Sequence, residues 1–451
     1  MSAELSRREF LAGAGAAALA LGLPGCASLV PWIERPLPAG ERPRVACIGI
    51  GGQGWVDAMT LAAGGAEVVA LCDVDRDPPR GWFMRDLTRR FPQARRYRDF
   101  RELLAREGPG LDGVAVSTPD HTHCHVAVTA MRQGKHVYCQ KPLARSIAEA
   151  RLMAETARRH GVATQMGNQA HARSELRRAV ELIRAGLIGR VREVHAWTNR
   201  PIWPQGMAAA PAPAPAPESL DWDLWLGPAA ERPYGPGYCP FLWRGWWDFG
   251  TGALGDMGPH ILDLPWWSLE LGAPTRIEAE SEGGTAGSPP RASTVTFRFP
   301  AGRSSDALAL VWHDGGRLPP EPLLRELGLT ARAVRRRYDL LMLGSDGALL
   351  FHHRAGLRVL PEERLAALGP VPESLPRVAN EAIEWIDACR GGPAPLSEFA
   401  ASGPFTEAVL TGNLALRLGR PVDWDASALR ARDAPEADPW IQPRYRRGWE
   451  L

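Results

Sequence analysis

Lys141 is the residue whose type and position best suit acid–base chemistry. Of the 53 lysine and arginine residues in the chain, only Lys135 and Lys141 are lysine. Arginine keeps its proton at any relevant pH, whereas a lysine that is partly desolvated near another cation can release it. We therefore predict that Lys141 takes a proton from an alcohol as a general base, and that Lys135 is structural. The alternative is that Lys141 pairs with a phosphate or a carboxylate, a role that arginine could equally fill.

A carboxylate and an imidazole form the second group of reactive side chains. Asp256 and His260 are four residues apart in a glycine-rich stretch that begins at Gly250, so on a helix they share one face. A carboxylate can orient an imidazole and raise its basicity, and the pair would act as a proton relay. Lys141, Asp256 and His260 are therefore the predicted catalytic residues. Asp263 continues the same side, where it caps the helix or pairs locally.

The glycine-rich segment Gly49–Gly54 predicts a binding site for a dinucleotide. It has the pattern Gly-x-Gly-Gly-x-Gly, follows the apolar strand Val45–Ile48 and precedes an apolar helical stretch. Such a turn aims the amides of a helix N-terminus at a pyrophosphate. A second strand ends at Asp73, whose carboxylate would bind the ribose hydroxyls of NAD and repel the additional phosphate of NADP. The alternative is a glycine-rich turn in another kind of α/β protein.

Strands and helices alternate from Arg44 to Met166, which predicts a doubly wound parallel sheet of the Rossmann type. Ligands bind at the carboxyl ends of such strands, so the loops there complete the cofactor site. The predicted cofactor contacts are Gly49, Gly51, Gly52, Gln53, Gly54, Asp73, Thr118, Pro119, His123, Gln140 and Lys141.

Three histidines alternate after the predicted strand that ends at Ser117. His121, His123 and His125 fall at a strand end and a helix start, where residues two apart do not face each other. No carboxylate or cysteine completes a ligand set nearby. We therefore predict that this loop contacts the nicotinamide end of the cofactor, and we predict no metal site.

Tryptophans are concentrated in the second half of the chain. Nine of the 17 lie between Trp197 and Trp267. Flat aromatic faces suit stacking on the C–H groups of a sugar, although loop packing explains any single one of them. As a cluster they favour a carbohydrate substrate. The predicted substrate contacts are Asn168, Arg244, Trp247 and His260.

Beyond Pro274 the pattern becomes strand-like and predicts a mostly antiparallel sheet. His352 and His353 show no partner pattern, and we interpret them as surface residues on one of these strands. An alanine- and proline-rich stretch at residues 208–217 is typical of an extended surface loop.

Composition bounds the class of protein. The chain has 451 residues, a net charge of +2, and hydrophobic and charged fractions of 45% and 23%, which are ordinary for a soluble globular protein. The charge gives no argument for a nucleic-acid partner or an acidic membrane surface. The seven cysteines lie mostly in apolar runs without a C-x-x-C pair, which predicts small buried side chains rather than disulfides.

The first thirty residues are predicted to be an export signal rather than part of the fold. Ser6–Leu11 matches the twin-arginine signature, and the apolar run that follows is too short to span a bilayer. Cys26 follows Leu-Pro-Gly and resembles a lipoprotein processing site, so lipidation there is left open and is the one predicted membrane contact. We expect a linker at 31–42, a nucleotide-binding domain at 43–167 and a substrate and oligomerisation domain at 168–451.

The predicted export limits the kinds of reaction that the protein can catalyse. Twin-arginine export carries proteins that are already folded, and free nicotinamide nucleotide would be scarce outside the cytoplasm. The periplasmic protein is therefore expected to carry its NAD tightly bound and to regenerate it in place. Its reaction should be redox-neutral over a full cycle.

Several of these segments together resemble one protein family. Gly49–Gly54, Asp73, Thr118-Pro119, Lys141-Pro142 and the helix Asp256-x-x-x-His260 are similar to those of the glucose–fructose oxidoreductase, inositol dehydrogenase and MocA (Gfo/Idh/MocA) family, in the same order. The resemblance implies an α/β protein with an N-terminal Rossmann domain and a C-terminal α+β domain built on a large, mostly antiparallel open sheet.

The resemblance also implies a catalytic triad and a class of substrate. The family's usual lysine, aspartate and histidine correspond to Lys141, Asp256 and His260. One departure is that the usual Glu-Lys-Pro is Gln140-Lys141-Pro142 here, which bears on how Lys141 is tuned. We expect a homo-oligomeric, NAD-dependent oxidoreductase that transfers hydride reversibly on a sugar or sugar-derived alcohol. Two alternatives are a redox-neutral, NAD-dependent glycoside hydrolase and an exported sugar-binding protein without chemistry.

Overall fold

The first sheet is parallel and has six strands among the residues that the structure describes. The structure is a computed structural model that describes Ile33, residues 36–38, 40–77 and 87–451. The strand order is β3-β2-β1-β4-β5-β6. The strands are β1 (Arg44–Ile48), β2 (Glu67–Cys72), β3 (Arg95–Tyr97), β4 (Gly113–Val116), β5 (His136–Gln140) and β6 (Thr164–Gly167). Strands β4 and β5 are buried along their whole length, as expected for a sheet that is covered on both faces.

Helices connect the strands of this sheet. They are α1 (Gln53–Ala63), α2 (Leu87–Arg90), α3 (Phe100–Glu107), α4 (His123–Arg132) and α5 (Ile147–His160). Two of them, α3 and α5, begin with a side-chain cap. Helix α5 begins with a capping box between Ser146 and Glu149 and ends at Gly161, whose φ is 54°. The strand order reverses between β1 and β4, so the loops after these two strands diverge and leave a crevice.

The second sheet is mixed and mostly antiparallel. Its strands are β7 (Val191–Trp197), β8 (Arg276–Glu282), β9 (Ala292–Phe299), β10 (Ser305–His313), β11 (Leu340–Gly344), β12 (Ala348–His352), β13 (Gly356–Leu360), β14 (Val422–Asp425) and β15 (Arg430–Arg432). The order is β13-β12-β11-β7-β10-β9-β8-β14-β15, and only β7 and β10 pair in parallel among these described strands.

The remaining helices cover this sheet and connect it to the first. They are α6 (Ser174–Arg184), α7 (Trp222–Leu226), α8 (Gly252–Ile261), α9 (Asp263–Ser268), α10 (Glu321–Glu326), α11 (Ala331–Arg337), α12 (Glu363–Leu368), α13 (Glu381–Cys389), α14 (Phe399–Leu418) and α15 (Asp438–Ile441). Helix α14 packs on α8 and on strands β8 and β9. Gly412 allows this approach, because a Cβ there would lie 2.5 Å from Leu254 and 2.8 Å from Phe297.

The C-terminal part of the chain returns to cover the first sheet. Helix α13 packs on α1, and the Trp385 indole lies so close to Gly113 that a Cβ there would be 2.9 Å from the ring. Near the C-terminus, the Trp449 carbonyl accepts a hydrogen bond from His125 Nε2 at 2.8 Å. The first sheet is therefore covered by residues that come after β13 in the chain, on both sides of strands β14 and β15.

The predicted fold class is confirmed: a parallel Rossmann sheet is joined to a mixed, mostly antiparallel sheet. The strand-like pattern predicted beyond Pro274 begins with the observed strand Arg276–Glu282. The predicted export signal, Cys26 and most of the linker at 31–42 lie outside the described residues.

Within the described ranges, no helix combines the length and the apolar character needed to cross a bilayer. The six cysteines in these ranges are all free thiols, and five of them are buried.

Many of the clustered tryptophans form a separate small core. Trp225, Trp243 and Trp246 pack with Tyr238 and Phe249. These three tryptophans therefore pack within this small core, and packing was the alternative to stacking on a sugar. The proline-rich residues 208–217 run without helix or strand over this core, and most of them are exposed.

Candidate active site

Lys141 and Asp256 form the centre of the site. Strand β5 ends at Gln140, so Lys141 lies at the carboxyl edge of the first sheet. Its Nζ donates to Asp256 Oδ1 at 2.8 Å and to the Asp256 carbonyl at 2.9 Å. The two side chains are only 11% and 9% exposed, so the contact is shielded from water. The structure thus brings together two predicted catalytic residues that are 115 positions apart.

Burial controls the proton of Lys141. It lowers the pKa of the Lys141 ammonium below its ordinary value, the Arg244 guanidinium lowers it further, and the Asp256 carboxylate opposes both effects. Burial alone would raise the pKa of Asp256, but Lys141 and Arg244 hold it well below its ordinary value. Asp256 therefore stays ionised while Lys141 can change its charge.

Two arginines and a second carboxylate surround this pair. Arg244 lies 3.2 Å from Asp256 Oδ1 and 3.7 Å from Asp120 Oδ1, and Arg200 Nε is 3.9 Å from Asp256 Oδ2. The Thr251 hydroxyl donates to Asp120 Oδ2 at 2.8 Å. Arg244 was a predicted substrate contact, and the structure places it beside Lys141. Arg200 and Asp120 were not predicted.

His260 lies at the same site but makes a different contact from the predicted one. Its ring stacks on His353, with centroids 5.9 Å apart and planes at 19°. The short polar contacts of the Asp256 carboxylate go to Lys141 and Arg244, and none joins it to His260 in the described ranges. Burial, Lys141 and His353 lower the pKa of His260 well below its ordinary value, so the ring is neutral at pH 7. The expected relay from Asp256 to His260 is therefore not the arrangement observed.

A histidine–aspartate pair supports His260 from the second sheet. His353 Nδ1 hydrogen-bonds Asp339 Oδ2, and His353 Nε2 is buried without a hydrogen-bond partner. The interpretation of His353 as a surface residue without a partner was wrong, because the pairing of β11 with β12 carries Asp339 to it. His353 is only 11% exposed, whereas the neighbouring His352 is 28% exposed.

Asp339, His352 and His353 also have the composition of a metal site, since their ligand atoms all lie within 4.8 Å of one another. The hydrogen bonding argues for another role. The Arg354 amide donates to His352 Nδ1 at 3.0 Å, so the neutral His352 ring carries its proton on Nε2, the atom that faces Asp339. That nitrogen has no lone pair for a metal, and the group is better suited to proton transfer.

The role of the His353–Asp339 pair in proton transfer can be tested with His353→Gln, which removes the imidazole beside His260. We expect kcat to fall about a hundredfold, because a positioned acid–base group is lost, and the pH profile of kcat to change shape. His352→Gln is the matched control on the adjacent residue and should keep both kcat and the profile. Equal profiles for wild type and His353→Gln would show that His353 only packs against His260.

A second histidine–aspartate pair lies at the start of α9. His171 Nδ1 hydrogen-bonds Asp263 at 2.9 Å, its ring stacks on Trp267, and its Nε2 is buried without a hydrogen-bond partner. Asn168 donates to Asp263 at 3.2 Å and accepts from Ser397 at 2.6 Å. Asn168 was predicted to contact the substrate, but its buried amide is engaged at both ends and positions Asp263 instead. Asp263 was expected to cap its helix or to pair locally, but its partner His171 lies 92 positions away in the chain.

The glycine-rich turn has the close approaches that its glycines predict. A Cβ on Gly54 would lie 1.9 Å from the Gly49 carbonyl, and Gly49 has φ 78° with the Ser117 carbonyl 2.7 Å from where its Cβ would be. Gly52 faces open space, with no atom within 4 Å of a Cβ built there. The turn thus forms a cradle with open space beside Gly52 at the start of α1, which fits a dinucleotide phosphate.

Asp73 lies beside this cradle at the end of β2. Its carboxylate accepts from the Ile50 amide at 3.0 Å and from the Asp75 amide at 3.1 Å. Burial raises the pKa of Asp73, and these amides oppose the increase. Each carboxylate oxygen keeps a lone pair that can accept from a ribose hydroxyl.

Replacing Asp73 by serine tests its predicted part in binding NAD. We expect the dissociation constant for NAD to rise about tenfold and the preference for NAD over NADP to narrow, because one charged hydrogen-bond acceptor is lost. Binding of both nucleotides is measured by calorimetry on nucleotide-free protein, with the exposed Asp77→Ser as control. An unchanged ratio of the two affinities would exclude Asp73 from nucleotide selection.

The three alternating histidines hold the loops of the site. His123 bridges the Thr118 carbonyl at 2.8 Å and the Pro142 carbonyl at 2.9 Å, and so ties two predicted cofactor loops together. His121 and His125 contact the carbonyls of Trp225 and Trp449. His121 and His125 therefore anchor the second part of the chain instead of reaching toward the crevice.

Gln140 and Gln53 have a buried partner that was not predicted. Gln140 Nε2 donates to both oxygens of Asp57 at 3.0 and 3.1 Å, and Gln53 and Ser117 donate at 2.9 and 2.6 Å. Burial raises the pKa of Asp57 to about 6 despite these donors. A glutamate at position 140 would face another carboxylate, whereas the glutamine amide donates to it. Gln53 and Gln140 are thus already engaged within the protein.

Trp247 is the last predicted substrate contact to be located. It is 6% exposed and packs against Arg417, with the guanidinium 5.3 Å from the ring centroid. Trp247 lines a cavity together with Arg145 and Trp440. Lys141 and His260 do not line this cavity.

These features define a class of protein: a dinucleotide crevice in a Rossmann sheet, with a buried lysine at its carboxyl edge. Residues 43–168 match the model of an oxidoreductase family's NAD-binding Rossmann fold, and residues 178–297 match that of its C-terminal α/β domain. The two matches together span more than half of the chain. The chain therefore belongs to the Gfo/Idh/MocA oxidoreductase family, and its first domain is an NAD-binding domain.

The curated relatives match the chain only in part. The chain is 30% identical over 221 residues to glycosyl hydrolase family 109 protein 2 of Akkermansia muciniphila, covering 42% of this chain and 46% of the relative. It is 25% identical over 179 residues to levoglucosan dehydrogenase of Pseudarthrobacter phenanthrenivorans, covering 40% and 38%. The chain thus spans less than half the length of these curated relatives. The crystal structure of the WlbA dehydrogenase from Bordetella pertussis, in complex with NADH and UDP-GlcNAcA, shares the fold, with a TM-score of 0.57 at 17% identity over 85% of this chain and 99% of that one.

Proposed function

We propose that this protein is an NAD-dependent oxidoreductase that acts on a secondary alcohol of a sugar or sugar derivative. The observation that carries the proposal is the buried Lys141–Asp256 pair at the carboxyl edge of the NAD-binding sheet. NAD, when bound, accepts the hydride of the carbinol carbon. The protein residues must then remove the hydroxyl proton and stabilise the charge that develops.

Lys141 performs the proton transfer in this proposal. Its lowered pKa makes the neutral amine accessible, and Asp256 fixes Nζ in one position. Arg244, beside Lys141 on Asp256 Oδ1, and Arg200, near Oδ2, add positive charge to the site, which disfavours the ammonium and favours an alkoxide-like transition state. The neutral His260 supplies a second hydrogen-bonding group for the substrate.

Redox-neutral glycoside hydrolysis is the second candidate, and two observations favour it. The first is the similarity to glycosyl hydrolase family 109 proteins. The second is the presence of two further histidines, His171 and His353, each paired with an aspartate and each with a buried, unpartnered Nε2. Elimination of a glycosidic substituent and addition of water require acid–base groups beyond the one that accompanies hydride transfer.

Both candidates include a tightly bound cofactor, and this can be tested directly. The purified protein is unfolded and the supernatant is assayed for NAD and NADP. We expect NAD in near-stoichiometric amount. Protein that is isolated empty and has no affinity for either nucleotide would overturn both candidates.

The nature of the reaction is distinguished on the nucleotide-loaded protein. Sugars and aryl glycosides are added while absorbance at the NADH band and release of the aglycone are followed. A transient NADH signal without cleavage supports the oxidoreductase, and aglycone release without net NADH supports the glycosidase. Full nucleotide occupancy with neither response would instead favour a sugar-binding protein without chemistry.

We further propose that the protein is exported in its folded state through the twin-arginine route, on the basis of Arg7 and Arg8 in the Ser6–Leu11 motif. Replacing both arginines by lysine is expected to leave the protein in the cytoplasm with its nucleotide bound. The measurement is the fraction recovered from the periplasm, and Arg42→Lys is the control. Unchanged export of the double variant would contradict this proposal without touching the enzymatic one.

A further inference from the structure

A polar cavity is lined by residues other than Lys141, Asp256 and His260, and it adjoins their site at Thr251, whose hydroxyl donates to Asp120. It is enclosed by the start of helix α5, the end of α14, helix α15 and the segment before α8. Its polar lining includes Arg145, Ser146, Thr251, Asn413 and Arg417, and Trp247 and Trp440 form its walls. We call it the arginine cavity. No aspartate or glutamate is among the residues that line it.

Neither arginine in this cavity forms an ion pair with a carboxylate in the part of the chain that the structure describes. Within the same ranges the guanidinium groups of Arg145 and Arg417 make no hydrogen bond to the protein, and Arg145 Nε is buried without a partner. Burial lowers the pKa of Arg417 to about 10, the Asp248 carboxylate opposes the decrease, and the charge of Arg145 adds to it. Two cations held near each other in a partly buried space are unfavourable unless an anion lies between them.

The aromatic walls hold Arg417 in place. Its guanidinium lies 4.1 Å from the Trp440 ring centroid and 5.3 Å from that of Trp247. Cation–π contacts of this kind stabilise the group without occupying its N–H donors. The donors of Arg417 therefore remain available to a ligand in the cavity.

Asn413 adds an independent sign that a ligand belongs here. The residue is 7% exposed, and its Nδ2 donates to the Thr251 carbonyl at 3.0 Å. Its Oδ1 is buried without a hydrogen-bond partner. An unsatisfied buried acceptor costs free energy, so a donor from a ligand is expected beside it. The cavity thus presents cationic donors together with one acceptor.

The N-terminus of helix α5 is a further group in the arginine cavity that favours an anion. This helix has 14 residues, and Ser146 and Ile147 at its N-terminus line the cavity. The helix dipole adds partial positive charge at that end.

We propose that the arginine cavity binds one small oxyanion group, either a phosphate or a carboxylate, that carries or is accompanied by a hydrogen-bond donor. The group would bridge Arg145 and Arg417, and its donor would reach Asn413 Oδ1. Because Arg145 belongs to the first domain and Arg417 and Trp440 come from the C-terminal part of the chain, the anion would join the two. This site is separate from the proposed reaction and does not depend on it.

The test uses the nucleotide-loaded protein at constant ionic strength. Inorganic phosphate and acetate are titrated separately, and binding is followed by calorimetry and by the melting temperature. We expect saturable binding of one equivalent of at least one of them, and the two arms show which oxyanion is preferred. Arg145→Gln and Arg417→Gln should each weaken it at least tenfold. Arg158→Gln, on the exposed side of α5, should bind as wild type does. The absence of saturable binding, or equal binding by all four proteins, would overturn the proposal.

Asn413→Asp gives a second test, in which a carboxylate built into the cavity competes with the anion. The new carboxylate would neutralise part of the charge of Arg145 and Arg417, so we expect phosphate and acetate to lose their effect on the melting temperature. Because the same change removes the hydrogen bond to the Thr251 carbonyl, the readout is the response to the anion and not the melting temperature itself. A response to phosphate or acetate as large as in wild type would contradict the proposal.

Discussion

Replacing Lys141 by arginine is expected to abolish turnover while the protein keeps its nucleotide. Arginine can retain the ion pair with Asp256, but it cannot release a proton at any accessible pH. Loss of general-base catalysis should lower kcat by roughly 10²–10⁴-fold. The measurements are kcat on the best substrate found and the nucleotide content of the unfolded protein.

The control for this variant is Lys135→Arg, which changes the other lysine. Lys135 Nζ donates to the Leu111 carbonyl at 2.9 Å, at the opposite end of the sheet, and its replacement should leave kcat unchanged. In wild type, kcat should rise with pH and level off with a midpoint below the ordinary lysine pKa, because burial lowers the pKa of Lys141. An active Lys141→Arg enzyme would remove the general-base assignment.

Replacing Gln140 by glutamate is expected to destabilise the fold at neutral pH. The new carboxylate would lie at hydrogen-bond distance from Asp57, where the Gln140 amide now donates to both oxygens. Two buried carboxylates cannot both ionise there without a large penalty, and we expect a loss of about 3 kcal/mol in the free energy of unfolding. The loss should be smaller at pH 5, where the pair can share a proton.

The exchange variant Asp57→Asn, Gln140→Glu is the control, since it restores one carboxylate and one amide. It should recover most of the stability, as measured by denaturant unfolding at pH 5 and pH 8. Equal stability of Gln140→Glu and wild type at pH 8 would contradict the role given to Asp57.

Asp57 alone also predicts a pH dependence. Its folded-state pKa of about 6 lies above the value of 3.8 for an unperturbed aspartate, so the folded protein binds more protons than the unfolded chain between these limits. The contribution of Asp57 to stability is therefore fully present below pH 4 and is lost as the pH rises to 6. Asp57→Asn should flatten the curve of unfolding free energy in this interval.

The sequence was most informative where the chemistry is local. Gly54 is required by a contact within the turn itself, because a Cβ there would meet the Gly49 carbonyl, and the flanking strand and helix are adjacent in the chain. Lys141 stood out because almost every other basic position is arginine. Spacing was sufficient for the first feature and composition for the second, whereas the close approach of Gly49 to Ser117 depends on a distant part of the chain.

The partners of the site residues could not be predicted in the same way. Asp256 was paired with His260 because they are four residues apart, but in the fold its strongest partner is an ammonium 115 positions away. Asp57 and Gln140 are 83 positions apart, and nothing local connects them. The pairing of Asp339 with His353 could in principle be predicted, because the register of the β11–β12 hairpin brings the two residues together. Predicting that register requires both strand boundaries to be known.

The way in which the last residues complete the first sheet has a consequence for the order of folding. The His125–Trp449 contact joins positions 324 residues apart, and Trp385 covers Gly113 across a similar distance in the chain. Contacts of such long sequence separation form late. A ribosome would therefore have to release nearly the whole polypeptide before its amino-terminal half could close around a nucleotide, and the first 167 residues expressed alone should remain incompletely folded.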